Sequence, residues 1–177
     1  MFRDKKKHTP VKRLVFLGLF ISIALTLNYF ERFIPIVIVL PGVKLGLANV
    51  VSLIALTLFT LPEVMAIVIL RTVLSAAFYG SISAFLFSMA GGVFSLLGMW
   101  LLLKINLKNV STVGISVFGS LCHNLGQLTV AVILLNSVAI YSYLPILLFS
   151  SAITGVIVGV VAEKTIPVLE KVYRSQA

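Results

Sequence analysis

The sequence is poor in acidic residues. Of its 177 residues, only five are Asp or Glu, against 14 Lys or Arg, and Asp4 is the single aspartate. Magnesium sites for diphosphate chemistry are built from carboxylates, and much acid–base catalysis needs a pair of acids. The sequence contains neither a carboxylate pair nor a P-loop. We therefore expect no catalysis of its own, no ATP hydrolysis, no metal and no cofactor.

Cysteine and charge are also scarce. Cys122 is the only cysteine, which excludes an internal disulfide and a cysteine metal site. Charged residues make up 11% of the chain and hydrophobic residues 60%, with a mean hydropathy of +1.16. Apolar runs of about 20 residues are typical of membrane-spanning helices, whereas a barrel shows short alternating segments. The composition predicts an all-α integral membrane protein with six transmembrane helices.

The net charge of +9 is unevenly distributed along the chain. Basic residues concentrate before the first apolar run, between the fourth and fifth, and after the sixth. The positive-inside rule then predicts a multi-pass protein with both termini in the cytoplasm. The basic tail would lie among anionic lipid headgroups, so no nucleic-acid partner is needed to explain the charge.

The apolar runs also divide the chain. We predict a tail (1–13), a membrane domain (14–162) and a cytoplasmic C-terminal segment (163–177). The predicted spans are 14–30, 44–59, 63–79, 82–103, 111–135 and 143–162. Glu31 and Arg32 mark the outer surface, and the loop 31–43 is too short and too proline-rich to span, so it forms a candidate lid. Thr60 and Glu63 have the spacing of a capping box, and Ser111 is a candidate N-cap.

A few polar residues interrupt the predicted spans. They are Lys44, Asn49, Arg71, His123, Asn124 and Gln127. Ionisable groups at membrane depth are functional candidates by default, and arginine suits a phosphate or carboxylate. We expect one pocket for a polar or anionic small molecule. Hydrogen bonds between helices could instead explain His123, and an ion pair with Glu31 or Glu63 could explain Arg71.

The first predicted span has small residues at Gly18 and Ser22, four positions apart on one face. Small residues let helix backbones approach closely in lipid. Two interpretations stay open: packing inside the bundle, which the spacing alone favours, or docking to a separate membrane subunit.

Four segments together resemble a known family. They are Gly42-Val43-Lys44-Leu45-Gly46-Leu47-Ala48-Asn49, Arg71 with Ser75, Phe87-Ser88-Met89-Ala90-Gly91-Gly92, and His123-Asn124-Leu125-Gly126-Gln127. The combination looks like the Gx transporter family, whose members often carry the label heptaprenyl diphosphate synthase component I. That family in turn resembles the substrate-binding S components of energy-coupling factor (ECF) transporters.

The resemblance implies a six-helix bundle that captures a micronutrient, such as a flavin or a quinone-pathway compound. It further implies docking through the first helix, at Gly18 and Ser22, to a transmembrane subunit driven by two ATPases. The substrate contacts it implies are the six polar residues named above. The label implies an alternative, a noncatalytic membrane subunit of heptaprenyl diphosphate synthesis. A third possibility is a scaffold whose polar residues only hold the helices together.

Overall fold

The computed structural model describes residues 10–31, 33, 46–105 and 110–175, and all regular structure within these ranges is helical. A 3₁₀ helix, Val138–Tyr143, precedes the last α-helix. The α-helices are α1 Pro10–Glu31, α2 Asn49–Leu58, α3 Leu61–Tyr79, α4 Ile82–Ile105, α5 Thr112–Leu135 and α6 Leu144–Ser175.

Five of these helices, all but α2, are long and apolar enough to cross a membrane. They indicate a multi-pass membrane protein, as the composition predicted. Helix α2 has ten residues, a rise of about 15 Å against a hydrocarbon core of about 30 Å. It is buried along nearly all of its length and contacts every other α-helix, so it forms the centre of the bundle. The second span was predicted to begin at residue 44, but helix α2 begins only at Asn49, because a turn with a left-handed Gly46 precedes it. Residues 44 and 45 lie outside the described residues.

The predicted helix starts at Thr60 and Ser111 are confirmed. Thr60 and Glu63 form a capping box, in which the Glu63 carboxylate accepts the Thr60 N–H at 2.8 Å. Glu63 also accepts a hydrogen bond from Nη2 of Arg13 at 2.7 Å, which ties α1 to the start of α3. Ser111 accepts from the N–H of Gly114 at 3.1 Å. We call this end of the bundle the Glu63 end, and the opposite end, where α1 stops at Glu31, the Glu31 end.

Helix α6 is longer than predicted. It continues to Ser175, whereas the change in charge near residue 162 suggested an end there. The packing of Tyr173 explains why the helix continues. Its ring packs edge-to-face on Phe16, with 5.0 Å between the ring centroids, and on Phe59, with 5.6 Å. The buried face of α6, which includes Ile166 and Tyr173, therefore continues beyond residue 162 and stabilises the helix there.

Small residues bring helices close together, as their four-residue spacing predicted. Gly155 and Gly159 of α6 lie directly over the backbone of Val117 and Val113 of α5. A methyl group added at Gly155 would lie 2.5 Å from the Val117 Cα. These contacts set the distance between the last two helices of the bundle.

Candidate functional site

The site begins with a turn at Gly46, just before α2. Gly46 has φ of +83°, in the left-handed region that favours glycine. The N–H of Gly46 donates to Oε1 of Glu31, and the N–H of Leu47 donates to the same oxygen at 3.4 Å. The carbonyl of Gly46 accepts from the N–H of Asn49 at 2.8 Å. The turn thus joins the end of α1 to the start of α2.

Glu31 therefore has a different place from the one its sequence position suggested. We expected it to mark the outer surface, but only 3% of it is exposed. The backbone N–H groups of Gly46 and Leu47, which precede α2, donate to its carboxylate oxygen, so the buried carboxylate has hydrogen-bond partners.

The same turn brings two predicted site residues together. A methyl group added at Gly46 would lie 2.7 Å from Nδ2 of Asn49 and 3.2 Å from Nε2 of His123. Both side chains are buried, with 2% and 3% exposed. Asn49 of α2 and His123 of α5 therefore meet over the bare backbone of residue 46, although 74 positions separate them in the sequence.

Two adjacent glycines of α4 hold the other members of the cluster. A methyl group at Gly91 would lie 2.7 Å from Cε1 of His123 and 3.0 Å from Cγ of Gln127. One at Gly92 would lie 3.0 Å from Nη2 of Arg71. Neighbouring positions on a helix point about 100° apart. His123 and Gln127 therefore contact α4 on one side of Gly91, and Arg71 contacts it on an adjacent face at Gly92.

Arg71 faces the interior of the bundle, as predicted, with 3% of its surface exposed. The alternative of an ion pair with Glu63 is wrong, because Glu63 pairs with Arg13 at the other end of α3. The carboxylate whose charge acts on Arg71 is that of Glu31, at the Glu31 end. The guanidinium is thus electrostatically linked to the same carboxylate that holds the Gly46 turn.

Several buried polar atoms around this cluster lack a hydrogen-bond partner among the described residues. They are both amide atoms of Asn49, the hydroxyls of Ser52 and Ser88, and Nε of Arg71. A buried polar group without a partner costs about 1–3 kcal/mol, so such groups normally meet water, an ion or a ligand. Their concentration at the junction of α2, α3 and α4 indicates a place where a polar guest would be stabilised.

One predicted contact, Asn124, stands apart from this cluster. Asn124 faces α6, where its amide donates to the carbonyl of Leu147 at 3.0 Å and to the hydroxyl of Ser151 at 2.7 Å. This arrangement corresponds to hydrogen bonding between helices. Lys44 lies outside the described residues.

Gly18 and Ser22 lie on the exposed face of α1. A methyl group added at Gly18 would meet no atom of the described chain within 4 Å, and the Ser22 hydroxyl donates to the Gly18 carbonyl at 2.9 Å. The packing that the spacing alone favoured is therefore absent from the described part of the bundle. The docking interpretation stays a prediction.

The glycines and Glu31 are the members of the site that residue-type reasoning did not assign. Gly46, Gly91 and Gly92 entered the sequence analysis only as parts of the segments that carry the family resemblance, and no contact with the polar residues was predicted for them. The signal in the sequence was the pair of adjacent glycines within one span. A residue without a Cβ atom leaves room for an imidazole or a guanidinium from another helix.

We compared the chain with curated proteins, solved structures and protein families. No curated protein and no solved structure matches it. Residues 20–165 match the family model for heptaprenyl diphosphate synthase component I. Since this match covers most of the chain and its spans, the protein belongs to the heptaprenyl diphosphate synthase component I family.

Proposed function

We propose that the protein is a substrate-binding membrane component, comparable to the S component of an ECF transporter, for a small anionic or polar metabolite. The observation that carries this proposal is that Asn49, Arg71, His123 and Gln127, which belong to three helices, lie against three glycines. On this proposal the chain has six spans, cytoplasmic termini and a bacterial inner-membrane location. The Glu31 end then faces outward, while most of the predicted lid, 31–43, lies outside the described residues.

The chemistry of the cluster favours a ligand rich in acceptors. The Arg71 guanidinium can donate to a carboxylate or phosphate through paired N–H groups, and the two amides can both donate and accept. A buried cation attracts an anion strongly because little water screens it. Of the ligand classes suggested by the family resemblance, a flavin and a quinone-pathway compound both carry suitable acceptor groups.

The exposed face of α1 supports a membrane partner. Gly18 and Ser22 offer backbone surface free of contact with the described chain, and small residues are typical of helix contacts in lipid. We propose that a transmembrane subunit with an ATPase pair docks here. This chain would bind the metabolite. The ATPase pair of the partner would supply the energy for transport, because this chain has no P-loop with which to hydrolyse ATP.

The test is native mass spectrometry of the protein extracted gently from its membrane, with Arg71→Leu and His123→Gln as variants. We expect a small molecule to copurify with the wild type and to be absent from both variants. Ala152→Leu, on an exposed position of α6, is the control and should retain it. A folded Arg71→Leu variant that keeps the same molecule would refute the proposal, and the scaffold interpretation would take its place.

The family description favours a second candidate, a noncatalytic membrane subunit of heptaprenyl diphosphate synthesis. On this alternative the apolar bundle would present a prenyl substrate to a separate catalytic subunit, which supplies the carboxylates that bind magnesium. The decisive measurement is prenyl product formation by that subunit with and without this chain. Product made only in its presence would rank this candidate first.

A further inference from the structure

Asn49 begins helix α2 but does not cap it. An asparagine at the start of a helix usually occupies the N-cap position, where its side chain accepts from the first N–H groups. Here Ala48 is the N-cap residue, and it makes no side-chain hydrogen bond. Both polar atoms of the Asn49 amide are buried without a hydrogen-bond partner among the described residues. The usual structural use of this residue type is therefore absent at this position.

Asn124 shows how a buried asparagine serves packing in this bundle. Its amide nitrogen donates both to the carbonyl of Leu147 and to the hydroxyl of Ser151, which ties α5 to α6. Asn49 is buried to a similar extent, with 2% exposed against 6%, yet neither of its amide atoms is bonded within the described chain. Because buried polar groups normally have partners, the Asn49 amide points to a partner from outside the chain.

Ser52 extends the same polar edge. It follows Asn49 by three positions, so the two lie on one face of α2 with a rise of about 4.5 Å between them. Ser52 is 1% exposed, and its hydroxyl also lacks a partner among the described residues. The face thus carries an acceptor, a donor and a hydroxyl that can act as either. Since none of these groups is charged, they select a ligand by its hydrogen-bond pattern.

This edge belongs to the polar cluster that carries the proposed binding function. The point that a methyl group at Gly46 would occupy lies 2.7 Å from Nδ2 of Asn49 and 3.2 Å from Nε2 of His123. The amide and the imidazole therefore flank the same turn. A ligand bonded to Asn49 lies beside His123.

The complement of an amide with two unbonded atoms is a donor and an acceptor side by side. Asparagine pairs in this way with base edges, accepting one N–H and donating to the neighbouring acceptor. A cyclic imide offers this pair and a second carbonyl, to which the Ser52 hydroxyl can donate. A quinone ring offers carbonyl acceptors without a donor, so it would leave the Asn49 oxygen unpaired.

We propose that Asn49 and Ser52 bind the imide edge of a neutral heterocycle, such as the ring system of a flavin. Asn49 accepts from the imide N–H and donates to one carbonyl, and Ser52 donates to the other. This assignment rests on the proposed binding function and selects the flavin from the two ligand classes considered there.

The probe is radiolabelled riboflavin, with binding measured on the full-length protein in lipid nanodiscs. The unlabelled competitors are riboflavin and 3-methylriboflavin, which differ only in the methyl group that replaces the imide hydrogen. We expect saturable binding, and competition weaker by about tenfold or more for the methylated compound, because it leaves the Asn49 oxygen unpaired.

Asn49→Ala tests which residue recognises the imide N–H. This variant should bind riboflavin about tenfold or more weakly and should no longer prefer it over 3-methylriboflavin. Asn124→Ala makes the same change in the asparagine that is bonded to α6, and it should keep both the affinity and the preference. If Asn49→Ala does not fold, Ser52→Ala is the second variant, and it should bind riboflavin about threefold or more weakly.

Thermal unfolding without riboflavin separates ligand binding from a structural role. Asn49→Ala should lower the melting temperature less than Asn124→Ala does, because only Asn124 gives up hydrogen bonds within the described chain. The assignment is overturned by any one of three results: no saturable riboflavin binding to the wild type, equal competition by the two compounds, or unchanged riboflavin binding by folded Asn49→Ala or Ser52→Ala protein. A preference for riboflavin that survives in folded Asn49→Ala protein would also overturn it.

The copurifying molecule distinguishes failure of this inference from failure of the function on which it rests. If Arg71→Leu and His123→Gln lose that molecule while riboflavin and 3-methylriboflavin compete equally, the binding function stands and the imide assignment fails. If Arg71→Leu retains the molecule, the proposed function itself has failed.

Discussion

Replacing Gly91 by alanine tests the contact on which the polar cluster depends. Gly91 and Gly18 are both helical glycines, but their surroundings differ. A methyl group at Gly91 would lie 2.7 Å from Cε1 and 2.9 Å from Nδ1 of His123, whereas one at Gly18 would meet nothing in the described chain within 4 Å. The two substitutions share the same change in helix propensity, so the difference between their stabilities measures the crowding against His123 and Gln127.

The expected magnitudes follow from these surroundings. Alanine in place of a helical glycine stabilises by about 1 kcal/mol, which is the whole effect expected at Gly18. Overpacking a filled interior costs about 1–3 kcal/mol, so Gly91→Ala should range from neutral to about 2 kcal/mol destabilising. At about 2–4 °C per kcal/mol for a chain of this size, Gly91→Ala should melt about 2–12 °C below Gly18→Ala.

The assay is thermal unfolding in detergent, followed by the fluorescence of Trp100, the single tryptophan. Ligand binding measured on the same samples should fall in Gly91→Ala and stay unchanged in Gly18→Ala, because only the former displaces His123. Equal increases in melting temperature for the two variants would refute the placement of His123 against α4.

Three further predictions follow from other contacts. Gly46→Ala should lower stability by about 2–5 kcal/mol, from about 1–2 for the left-handed backbone and about 1–3 for crowding, and should abolish ligand binding; a variant that melts like the wild type would contradict the turn. Asn124→Ala should lower the free energy of unfolding by about 0.6–1.7 kcal/mol, seen as a lower melting temperature, and should keep ligand binding. Loss of binding at unchanged stability would show that Asn124 contacts the ligand. Alanine substitutions of Arg13 and Glu63, separately and together, should give a coupling energy of about 0.2–1 kcal/mol in thermal unfolding, while a value of zero would leave Glu63 only its capping role.

Several features of this protein could be predicted because they depend on local or bulk properties. Membrane insertion follows from apolar content, the capping box at Thr60 from a four-residue pattern, and the interior position of Arg71 from the cost of placing a guanidinium in lipid. Each of these depends on a preference that does not require knowing which helix lies beside which.

Features that depend on neighbours were harder to predict. Glu31 and the end of α6 both involved charge near a span boundary, where sequence indicates exposure. In the structure, the Gly46 turn takes up the Glu31 carboxylate, and Phe16 and Phe59 cover Tyr173. Asn124 could not be separated from His123 and Gln127 by residue type, since only the rotation of α5 directs it to α6.

The sequence by itself determined that this is a helical membrane protein, which residues are costly to bury, and where small residues permit close approach. Only the tertiary structure decided that Asn49, His123, Gln127 and Arg71 each lie against one of three glycines that precede or belong to other helices. The physical reason is that the energy of transfer into lipid depends on each side chain separately, whereas the partners of a buried polar group depend on the rotation and register of helices that are distant in the chain.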